Sequence, residues 1–469
     1  MTAARRMVVV GGDAAGMSAA SQARRLQGRD ELEIIAFERG DFSSYSACGI
    51  PYWISGTVDA RDDLIARTPQ KHRERDIDLR MRTEVTELDL DGQRVRTRDL
   101  SEPRGQQRWT GFDELVIATG ARPLCPPLPG IDAEGVHGVQ SLEDGQALLE
   151  ELTRTETRTT GRKRRAVVIG AGYIGVEMAE ALTLRDFDVT VVDQAAQPMT
   201  TLDPDMGELV HDAMCGMGME VVTGSAVTAV ETDEDGRACA VTTDDAVYPA
   251  DVVVLGLGVT PETSLAREAG LPLGESGGLL TDLAMRVRER ENIWAGGDCV
   301  EVLDVVSGRT RHIALGTHAN KHGQVIGVNI AGGYATFPGV VGTAVSKVCD
   351  LEIARTGLLE SQARHVGLQF VTVTAESTSR AGYFPGAESM RVKMLAERDT
   401  GRLLGTQIVG RAGAGKRVDV AAVALTAGMT VQQMTYLDLG YAPPFSPVWD
   451  PVLVAARKAA AAVREAQKQ

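Results

Sequence analysis

The chain has no pair of cysteines at a spacing that would hold a metal ion or close a short disulfide loop. Its 469 residues contain six cysteines, at positions 48, 125, 215, 239, 299 and 349. Such a scattered set argues against a metal centre and against the disulfide framework of a small secreted domain. We therefore expect that the protein binds no metal. We also expect its thiols to be free and its location to be cytoplasmic.

Positive charge and long apolar runs are also lacking. Lys and Arg number 49 against 64 Asp and Glu, which gives a net charge of −15. This charge disfavours nucleic acid or an anionic membrane surface as a partner. No segment of the sequence reaches the roughly 18 apolar residues of a membrane span. Any site for an anionic substrate must therefore use a local group of basic residues.

Glycine, by contrast, is plentiful, with 51 residues, and it marks a first nucleotide-binding turn. An apolar strand over residues 7–10 leads through Gly11 and Gly16 into an alanine-rich helix, and the strand that follows ends at Glu38. Backbone N–H groups in such a turn face a pyrophosphate, and an acidic residue at the end of the next strand binds ribose hydroxyls. Asp13 replaces the middle glycine of the G-x-G-x-x-G pattern, so this turn alone is weak support for a nucleotide site.

A second turn of the same kind is more complete. Gly170, Gly172 and Gly175 follow an apolar strand and open a helix, and the next strand ends at Asp193. A carboxylate there accepts a hydrogen bond from an adenosine 2′-hydroxyl and repels a 2′-phosphate. Gln194, rather than an arginine, follows it. The sequence therefore predicts NADH rather than NADPH at this site.

Further segments join the two nucleotide-binding units. Residues 114–123 and 292–299 are apolar strands that end in small residues, which let the backbone approach a ligand. Asp298 adds an acceptor for a polyol hydroxyl. Residues 252–261 are interpreted as the strand that leaves the second unit, and the polar, basic residues 154–165 as a solvated linker.

The pattern changes after about residue 333, where separated strands are followed by alanine-rich helices. The strands are predicted at 367–374, 390–395 and 403–409, and the helices at 418–427 and 452–466. This arrangement predicts a third domain of the α+β class. We expect an α/β protein with two Rossmann-like dinucleotide-binding domains and this C-terminal domain.

Cys48 is the most informative thiol. It lies ten residues after Glu38, and Tyr52 and Trp53 occupy the positions at which a second redox cysteine would stand. Pro51 suits the first turn of a helix, and a helix that begins near Cys48 would favour the thiolate. These features predict one-thiol redox chemistry beside a cofactor. The alternative is a small buried hydrophobic residue.

In this order, the motifs resemble those of the FAD-dependent pyridine nucleotide–disulfide oxidoreductases over essentially the whole chain. The best resemblance is to the coenzyme A disulfide reductase group, which includes single-cysteine NADH oxidases and persulfide reductases. It is carried by residues 11–17, 48–52, 318–321 and 441–446. The two-cysteine branches carry a cysteine pair and a C-terminal His-Glu base that this chain lacks.

The resemblance implies an FAD-binding domain over residues 1–120 and 265–330, an NAD(H)-binding domain over 121–264 and a dimerisation domain over 331–469. It also implies a homodimer in which the last domain completes the active site of the other subunit. The residues expected to bind FAD or NADH are Gly11, Gly12, Ala15, Gly16, Glu38, Arg39, Ser44, Ala118, Thr119, Gly120, Gly170, Gly172, Tyr173, Ile174, Gly175, Asp193, Gly258, Gly297, Asp298 and Ala319.

The mechanism that the resemblance implies is a relay of two electrons from NADH through FAD to the sulfur of Cys48. The Cys48 thiolate attacks a disulfide, and a leaving thiolate is released. Tyr441 and Tyr383 of the other subunit would hydrogen-bond or protonate that thiolate. The alternative for both tyrosines is aromatic packing at an interface.

Two departures from the group remove polar contacts near this sulfur. Ala47 stands where relatives that reduce coenzyme A disulfide usually have Asn, and Phe384 stands where the group has a second tyrosine. Both changes weaken the prediction of coenzyme A as the substrate. A phosphate-rich substrate would also need basic residues at the mouth of the site. Arg24, Arg61 and Lys71 are candidates, with ordinary surface charge as the simpler alternative.

The leading hypothesis is an NADH-dependent reductase of a low-molecular-weight disulfide or persulfide. The main alternative is an NADH oxidase, in which oxygen is the acceptor and Cys48 cycles through a sulfenic acid. A reductase of an iron–sulfur protein would need neither Cys48 nor Tyr441. A non-enzymatic redox sensor would oxidise Cys48 without multiple turnover.

Overall fold

The computed structural model describes residues 4–102, 105–159 and 161–468. In chain order, the first part contains β1 (Arg5–Val10), α1 (Ala14–Leu26), β2 (Leu32–Phe37), α2 (Ile50–Ser55), α3 (Pro69–Arg73), β3 (Asp78–Arg80), β4 (Thr83–Asp89), β5 (Arg94–Asp99), β6 (Gln107–Gly111), β7 (Glu114–Ile117) and β8 (Ala121–Pro123). The second part contains β9 (Val136–Gly138), α4 (Leu142–Arg158), β10 (Arg164–Ile169), α5 (Tyr173–Leu184), β11 (Phe187–Asp193), α6 (Pro204–Gly216), β12 (Glu220–Thr223), β13 (Val227–Thr232), β14 (Ala238–Thr243), β15 (Val247–Pro249), β16 (Val252–Leu255) and β17 (Val259–Pro261).

The chain then continues through a third and a fourth part. The third contains α7 (Ser264–Glu268), β18 (Leu279–Leu280), β19 (Ile293–Ala295), β20 (Val300–Leu303), β21 (Thr310–His312) and α8 (Gly316–Ile330). The fourth contains β22 (Ala344–Val348), β23 (Leu351–Gly357), α9 (Glu360–His365), β24 (Phe370–Thr378), β25 (Ser389–Glu397), β26 (Leu403–Gly410), α10 (Val418–Thr426), α11 (Val431–Met434) and α12 (Pro451–Ala466).

The first nucleotide-binding unit is a parallel sheet in the order β19-β7-β1-β2-β3. Its central strands are continuous runs of buried apolar residues, as expected for a parallel sheet covered on both faces. The strand at 293–295 returns to this sheet after the whole second unit. The carboxyl ends of β1 and β7 therefore meet at one edge, where ligands bind in open α/β sheets.

The second unit has the same arrangement, a parallel sheet in the order β12-β11-β10-β16-β9. Helix α5 begins after the glycine turn that follows β10, and β16 leaves the unit at the position predicted from the sequence. The fold class of two Rossmann-like units is confirmed.

The C-terminal part is an antiparallel sheet in the order β22-β23-β26-β25-β24, which packs against α10 and α12. The three predicted strands and both predicted helices are present with small shifts of their ends. The edge strand β22 and its neighbour β23 were not predicted because their mixed polar and apolar residues do not form a clear alternating pattern.

The predicted linker over residues 154–165 is wrong at both ends. Helix α4 continues to Arg158 because Arg154 and Arg158 both pair with the buried carboxylate of Glu151, at 2.8 Å each. Strand β10 begins at Arg164, so the connection is short; residue 160 lies outside the described residues.

Among the described residues, no helix is both long and apolar enough to cross a membrane.

Candidate active site

A single cleft of about 3380 Å³ runs along the carboxyl ends of both parallel sheets. Ordinary small-molecule pockets measure roughly 300–1,000 Å³, so this cleft has room for more than one large ligand. Fourteen of the predicted cofactor residues line it: Gly11, Glu38, Arg39, Ala118, Thr119, Gly120, Gly170, Gly172, Tyr173, Ile174, Asp193, Gly258, Asp298 and Ala319. The other predicted residues, Gly12, Ala15, Gly16, Ser44, Gly175 and Gly297, are not among its lining residues.

The first glycine turn is shaped for close approach of a ligand. Gly11 has φ of +110°, and a Cβ there would lie 2.0 Å from the carbonyl oxygen of Ala118. No other residue can occupy this position without moving the turn that follows β7. Helix α1 starts directly behind it, so unpaired N–H groups point into the cleft. These features fit the pyrophosphate of a dinucleotide such as FAD.

Glu38 is held rigidly at the end of β2. Its Oε2 accepts a hydrogen bond from the N–H of Gly12 at 2.7 Å, and its Oε1 accepts one from the N–H of Gly40 at 2.8 Å. Two backbone donors fix the carboxylate at the edge of the cleft. It retains acceptor capacity for ribose hydroxyls, because a carboxylate has about four lone-pair sites.

The second turn has the same construction. Gly170 has φ of +98°, and a Cβ there would lie 2.7 Å from the oxygen of Gly256. Asp193 accepts hydrogen bonds from the N–H groups of Ala171, at 2.6 Å, and Ala195, at 2.8 Å. Its carboxylate lines the cleft where an adenosine ribose would lie in a Rossmann unit.

Cys48 lies in the same cleft, in a 3₁₀ turn over Ala47–Gly49 that leads into α2. Pro51 stands in the first turn of that helix, as predicted. The expected stabilisation of the thiolate is wrong, because the pKa of Cys48 is raised. Cys48 is exposed to the cleft, but the surrounding protein atoms partly desolvate its thiol, and the Glu177 carboxylate raises the pKa further. These effects outweigh the backbone N–H of Cys48 itself.

Glu177 was not predicted, although it faces the Cys48 side of the cleft. It lies on α5, and its Oε1 accepts a hydrogen bond from the hydroxyl of Ser346 on β22 at 2.7 Å. Burial raises the pKa of Glu177. The sequence contains no signal for this neighbourhood, because α2, α5 and β22 come from three distant segments.

Ser44 was predicted to bind the cofactor, but it is not among the residues that line the cleft. Its hydroxyl lies 3.0 Å from Nε2 of the fully buried His72, and its φ of +52° bends the segment before Cys48. The backbone oxygen of Ser44 accepts from the N–H groups of Ala66 and Arg67. Ser44 therefore connects the Cys48 segment to the region of α3.

Tyr383 and Tyr441 are not part of the cleft lining. Their exposed fractions are 79% and 49%, and both lie in the C-terminal part beside other exposed apolar side chains such as Phe445 and Val448. Within one chain they do not meet Cys48 in this cleft. Their predicted role stays a prediction that requires a second subunit.

Two of the three basic residues singled out in the sequence have other partners. Arg24 donates to the carbonyl oxygens of Leu32 and Asp76, so it supports the fold. Arg61 pairs with Asp62 and stacks over Phe42.

A group of cations that includes Lys71 lies around α3 and the end of α1, and none of its members lines the cleft that holds Cys48. Arg67 donates to the hydroxyl of Ser21 on α1 at 3.3 Å. Burial lowers the pKa of Arg67, and the positive charges of Arg75 and Arg25 lower it further. Within the described residues, none of the three forms a salt bridge, and neither does the neighbouring Lys71. This group, Arg25, Arg67, Lys71 and Arg75, is called the basic cluster below.

The sequence profile described as pyridine nucleotide-disulphide oxidoreductase matches residues 5–323, and that of the dimerisation domain of the same enzymes matches residues 343–451. The chain belongs to this family. It is therefore a flavoprotein oxidoreductase, and the FAD and NAD(P)H typical of the family suit the two glycine turns of the cleft.

Relatives that match nearly the full length of the chain are named as three kinds of enzyme. The NAD(P)H sulfur oxidoreductase (CoA-dependent) of Pyrococcus furiosus is 36% identical over 97% of this chain and 98% of its own. An NADH oxidase of Methanocaldococcus jannaschii is also 36% identical, over the same shares of the two chains. The solved structure of a NAD-dependent persulfide reductase from A. fulgidus is 40% identical, with a TM-score of 0.92 over 98% of this chain and 84% of that one.

Proposed function

We propose that the chain is a reductase of a low-molecular-weight disulfide or persulfide that uses Cys48 as its only redox thiol. The observation that carries the proposal is the position of Cys48 in one cleft with both glycine turns. All six cysteines are unpaired, and Tyr52 and Trp53 occupy the positions of a second redox cysteine. Such a site supports chemistry through a mixed disulfide with the substrate.

The Cys48 thiolate would attack one sulfur of the substrate R–S–S–R, form a Cys48–S–S–R bond and release the other half as a thiolate. FAD, when bound, would supply the electron pair taken from NAD(P)H that breaks the Cys48–S–S–R bond, which frees the Cys48 thiolate and releases the second R–S⁻. The residues that would hold FAD are those around Gly11, Glu38 and Asp298. The released thiolate needs a proton or a hydrogen bond, and Tyr441 and Tyr383 of a second subunit are proposed to provide it.

The substrate is proposed to carry phosphate groups, as a coenzyme A disulfide or persulfide does. The basic cluster supports this, because cations without acidic partners bind phosphates well. It is connected to the Cys48 segment through the backbone contacts of Arg67 and Ser44. Ala47 and Phe384 argue for fewer polar contacts at the sulfur itself, so recognition would rest on the distant phosphates.

NADH is proposed as the preferred reductant. Asp193 supports this preference, because its carboxylate faces the cleft and Gln194 and Ala195 follow it instead of a cation. The ratio of kcat/KM for NADH to that for NADPH tests it. We expect a ratio well above one that falls towards one in Asp193→Asn; a ratio below one in the unmodified protein would refute the preference.

We also propose a homodimer and a cytoplasmic location. The dimerisation-domain match and the exposed side chains around Tyr441 support the first. The six unpaired cysteines are typical of a reducing compartment and support the second. Sedimentation of the purified protein tests the dimer, and a monomer at micromolar concentration would contradict it. Cell fractionation tests the location.

The experiment for the whole proposal is anaerobic NADH oxidation with a panel of disulfides and persulfides, beside an aerobic reaction without sulfur substrate. Rapid turnover with one sulfur compound, lost in Cys48→Ser, supports the reductase. Fast aerobic turnover with every sulfur compound inert would instead establish the NADH oxidase, an alternative supported by the name of the Methanocaldococcus relative. Undiminished disulfide turnover in Cys48→Ser would refute both roles of the thiol.

A further inference from the structure

Asp13 links the FAD turn to the segment that carries Cys48. It occupies the middle glycine position of the first turn and lines the cleft. Its Oδ1 accepts a hydrogen bond from the N–H of Tyr45 at 3.3 Å, three residues before Cys48. Although Asp13 is the residue before α1, its side chain makes no capping hydrogen bond to that helix. The N–H groups of Ala15 and Gly16 therefore remain available to a ligand.

The surroundings of Asp13 oppose a negative charge. Burial and the nearby Glu38 raise its pKa to about 6, although the N–H groups of Tyr45, Ala14 and Ser44 act in the opposite direction. Within the described residues, no Lys, Arg or His forms a salt bridge with it. An incoming pyrophosphate would add two further negative charges beside the same carboxyl group.

A protonated carboxyl group resolves this conflict, because it offers one acceptor and one donor. Its carbonyl oxygen can keep the hydrogen bond from the N–H of Tyr45. Its O–H can donate to a phosphate oxygen, which an ionised carboxylate cannot do. A glycine, the usual residue at this position, could form neither side-chain contact.

We propose that FAD binding takes up one proton from solvent at Asp13, and that the protonated side chain bridges an FAD phosphate oxygen to the backbone N–H of Tyr45. Asp13 is then a positioning residue: occupancy of the FAD turn fixes the segment that holds Cys48. The inference depends on FAD binding and is independent of the sulfur substrate. A failure of the proposed reductase activity would therefore leave it unaffected.

The first test is the pH dependence of FAD affinity, measured from flavin fluorescence on dilution of the full-length holoprotein. Linkage predicts that uptake of one proton weakens binding by up to about tenfold per pH unit above pH 6. Asp13→Asn should remove most of this slope while retaining affinity, because an amide also accepts through oxygen and donates through nitrogen. Asp78→Asn is the matched control. Asp78 is exposed, pairs with Arg80 at 2.6 Å and does not line the cleft, so the slope should stay as in the unmodified protein.

Calorimetry and alkylation provide readouts without turnover. Titrations with FAD in buffers of different ionisation enthalpy should show net proton uptake near pH 7.5 in the unmodified protein and none in Asp13→Asn. In the holoprotein, Asp13→Ala should change the rate at which iodoacetamide modifies Cys48, and Asp13→Asn should restore it. Equal slopes and equal proton uptake in the unmodified protein and Asp13→Asn would overturn the inference. So would an Asp13→Ala protein, confirmed as folded by circular dichroism, that behaves like Asp13→Asn.

Discussion

Lys393 Nζ lies 3.2 Å from Asp203 Oδ2, and this buried pair joins the second nucleotide-binding unit to the C-terminal sheet. The same ammonium group contacts Asp205 at 2.6 Å and Glu360 at 2.9 Å. Burial alone would lower the pKa of Lys393, but the hydrogen bonds to Asp205 and Glu360 outweigh it and raise the pKa. Gln407 completes the contact through two hydrogen bonds to Asp203, both 2.7 Å.

Lys393→Met should destabilise the protein by about 3–5 kcal/mol, because the buried Asp203 and its neighbours Asp205 and Glu360 lose the ammonium group that they share. Arg364 still pairs with Glu360. The loss should depend on pH. Lys393 lowers the pKa of Glu360, so its stabilising effect is present above the pKa of an unfolded glutamate and disappears as the pH falls through the lower folded value. Denaturant unfolding at pH 7 and pH 4 measures both effects.

The control for this variant is Arg391→Met on the same strand. Arg391 pairs with Glu376 at 3.0 Å, but both side chains are largely exposed, so the change should stay within about 0.5 kcal/mol. If both variants lose the same free energy of unfolding, the contacts of Lys393 with Asp203, Asp205 and Glu360 have no special role in joining the domains.

The sequence predicted those parts of the fold that depend on local patterns. The strand at 7–10 was predicted and forms the buried part of β1, because a continuous apolar run that leads into a glycine turn has few alternatives in a parallel sheet. The glycine turns were found because Gly11 and Gly170 need positive φ. Strands β22 and β23 were missed because their pattern is weak, and their place in the sheet depends on pairing with β26.

The chemistry of the site was only partly predictable, for a different reason. Cys48, Glu38 and Asp193 each belong to a local motif with a fixed spacing. Glu177 near Cys48 and Arg25 near Arg67 could not be predicted, because residues on separate elements become neighbours only when the units pack. The raised pKa of Cys48 has the same origin: the helix start is local, whereas the desolvation and the Glu177 charge come from packing.

Glu177→Gln should lower the pKa of Cys48, because it removes a negative charge near the thiol and leaves the local packing largely unchanged. The measurement is the rate of iodoacetamide modification against pH, followed by mass spectrometry of the peptide that contains Cys48. The profile should move towards lower pH. It should not reach that of an unperturbed cysteine, since the partial desolvation of the thiol by the surrounding protein remains the larger cause of the shift.

Glu180→Gln is the matched control on the same helix. Glu180 acts on Tyr52 and on Glu177, but it is not among the charges that shift Cys48. We expect little movement of the Cys48 profile. A larger shift in Glu180→Gln than in Glu177→Gln would contradict the arrangement described here.

Arg67→Gln should weaken the use of a phosphate-bearing substrate and spare an uncharged one. A charge-assisted hydrogen bond contributes about 1.5–3 kcal/mol, so KM for coenzyme A disulfide should rise about tenfold or more, with little change for hydroxyethyl disulfide. Arg29→Gln is the control, because Arg29 is exposed and paired with Asp76 at 3.7 Å. Equal effects on both disulfides would remove the basic cluster from substrate recognition.

Tyr441→Phe should lower the kcat for disulfide reduction by roughly 10²-fold, since the hydroxyl would no longer hydrogen-bond or protonate the leaving thiolate. Tyr441 is exposed and lies outside the cleft of its own chain, so we expect it to act on the active site of the other subunit. If Tyr441 acts across a homodimer, its hydroxyl serves the Cys48 of the other subunit. Mixing the Tyr441→Phe and Cys48→Ser proteins under conditions of subunit exchange should then restore activity, although each protein alone is nearly inactive.

The expected recovery can be stated for random exchange. Half of the dimers would be mixed, and each mixed dimer would contain one site with both Cys48 and Tyr441 intact. Activity should therefore approach about a quarter of that of the unmodified protein. A tyrosine that acts within its own subunit would give no recovery, because every site would then lack one of the two groups. Tyr383→Phe mixed with Cys48→Ser provides the same test for the second tyrosine, and cross-linking verifies that exchange has occurred.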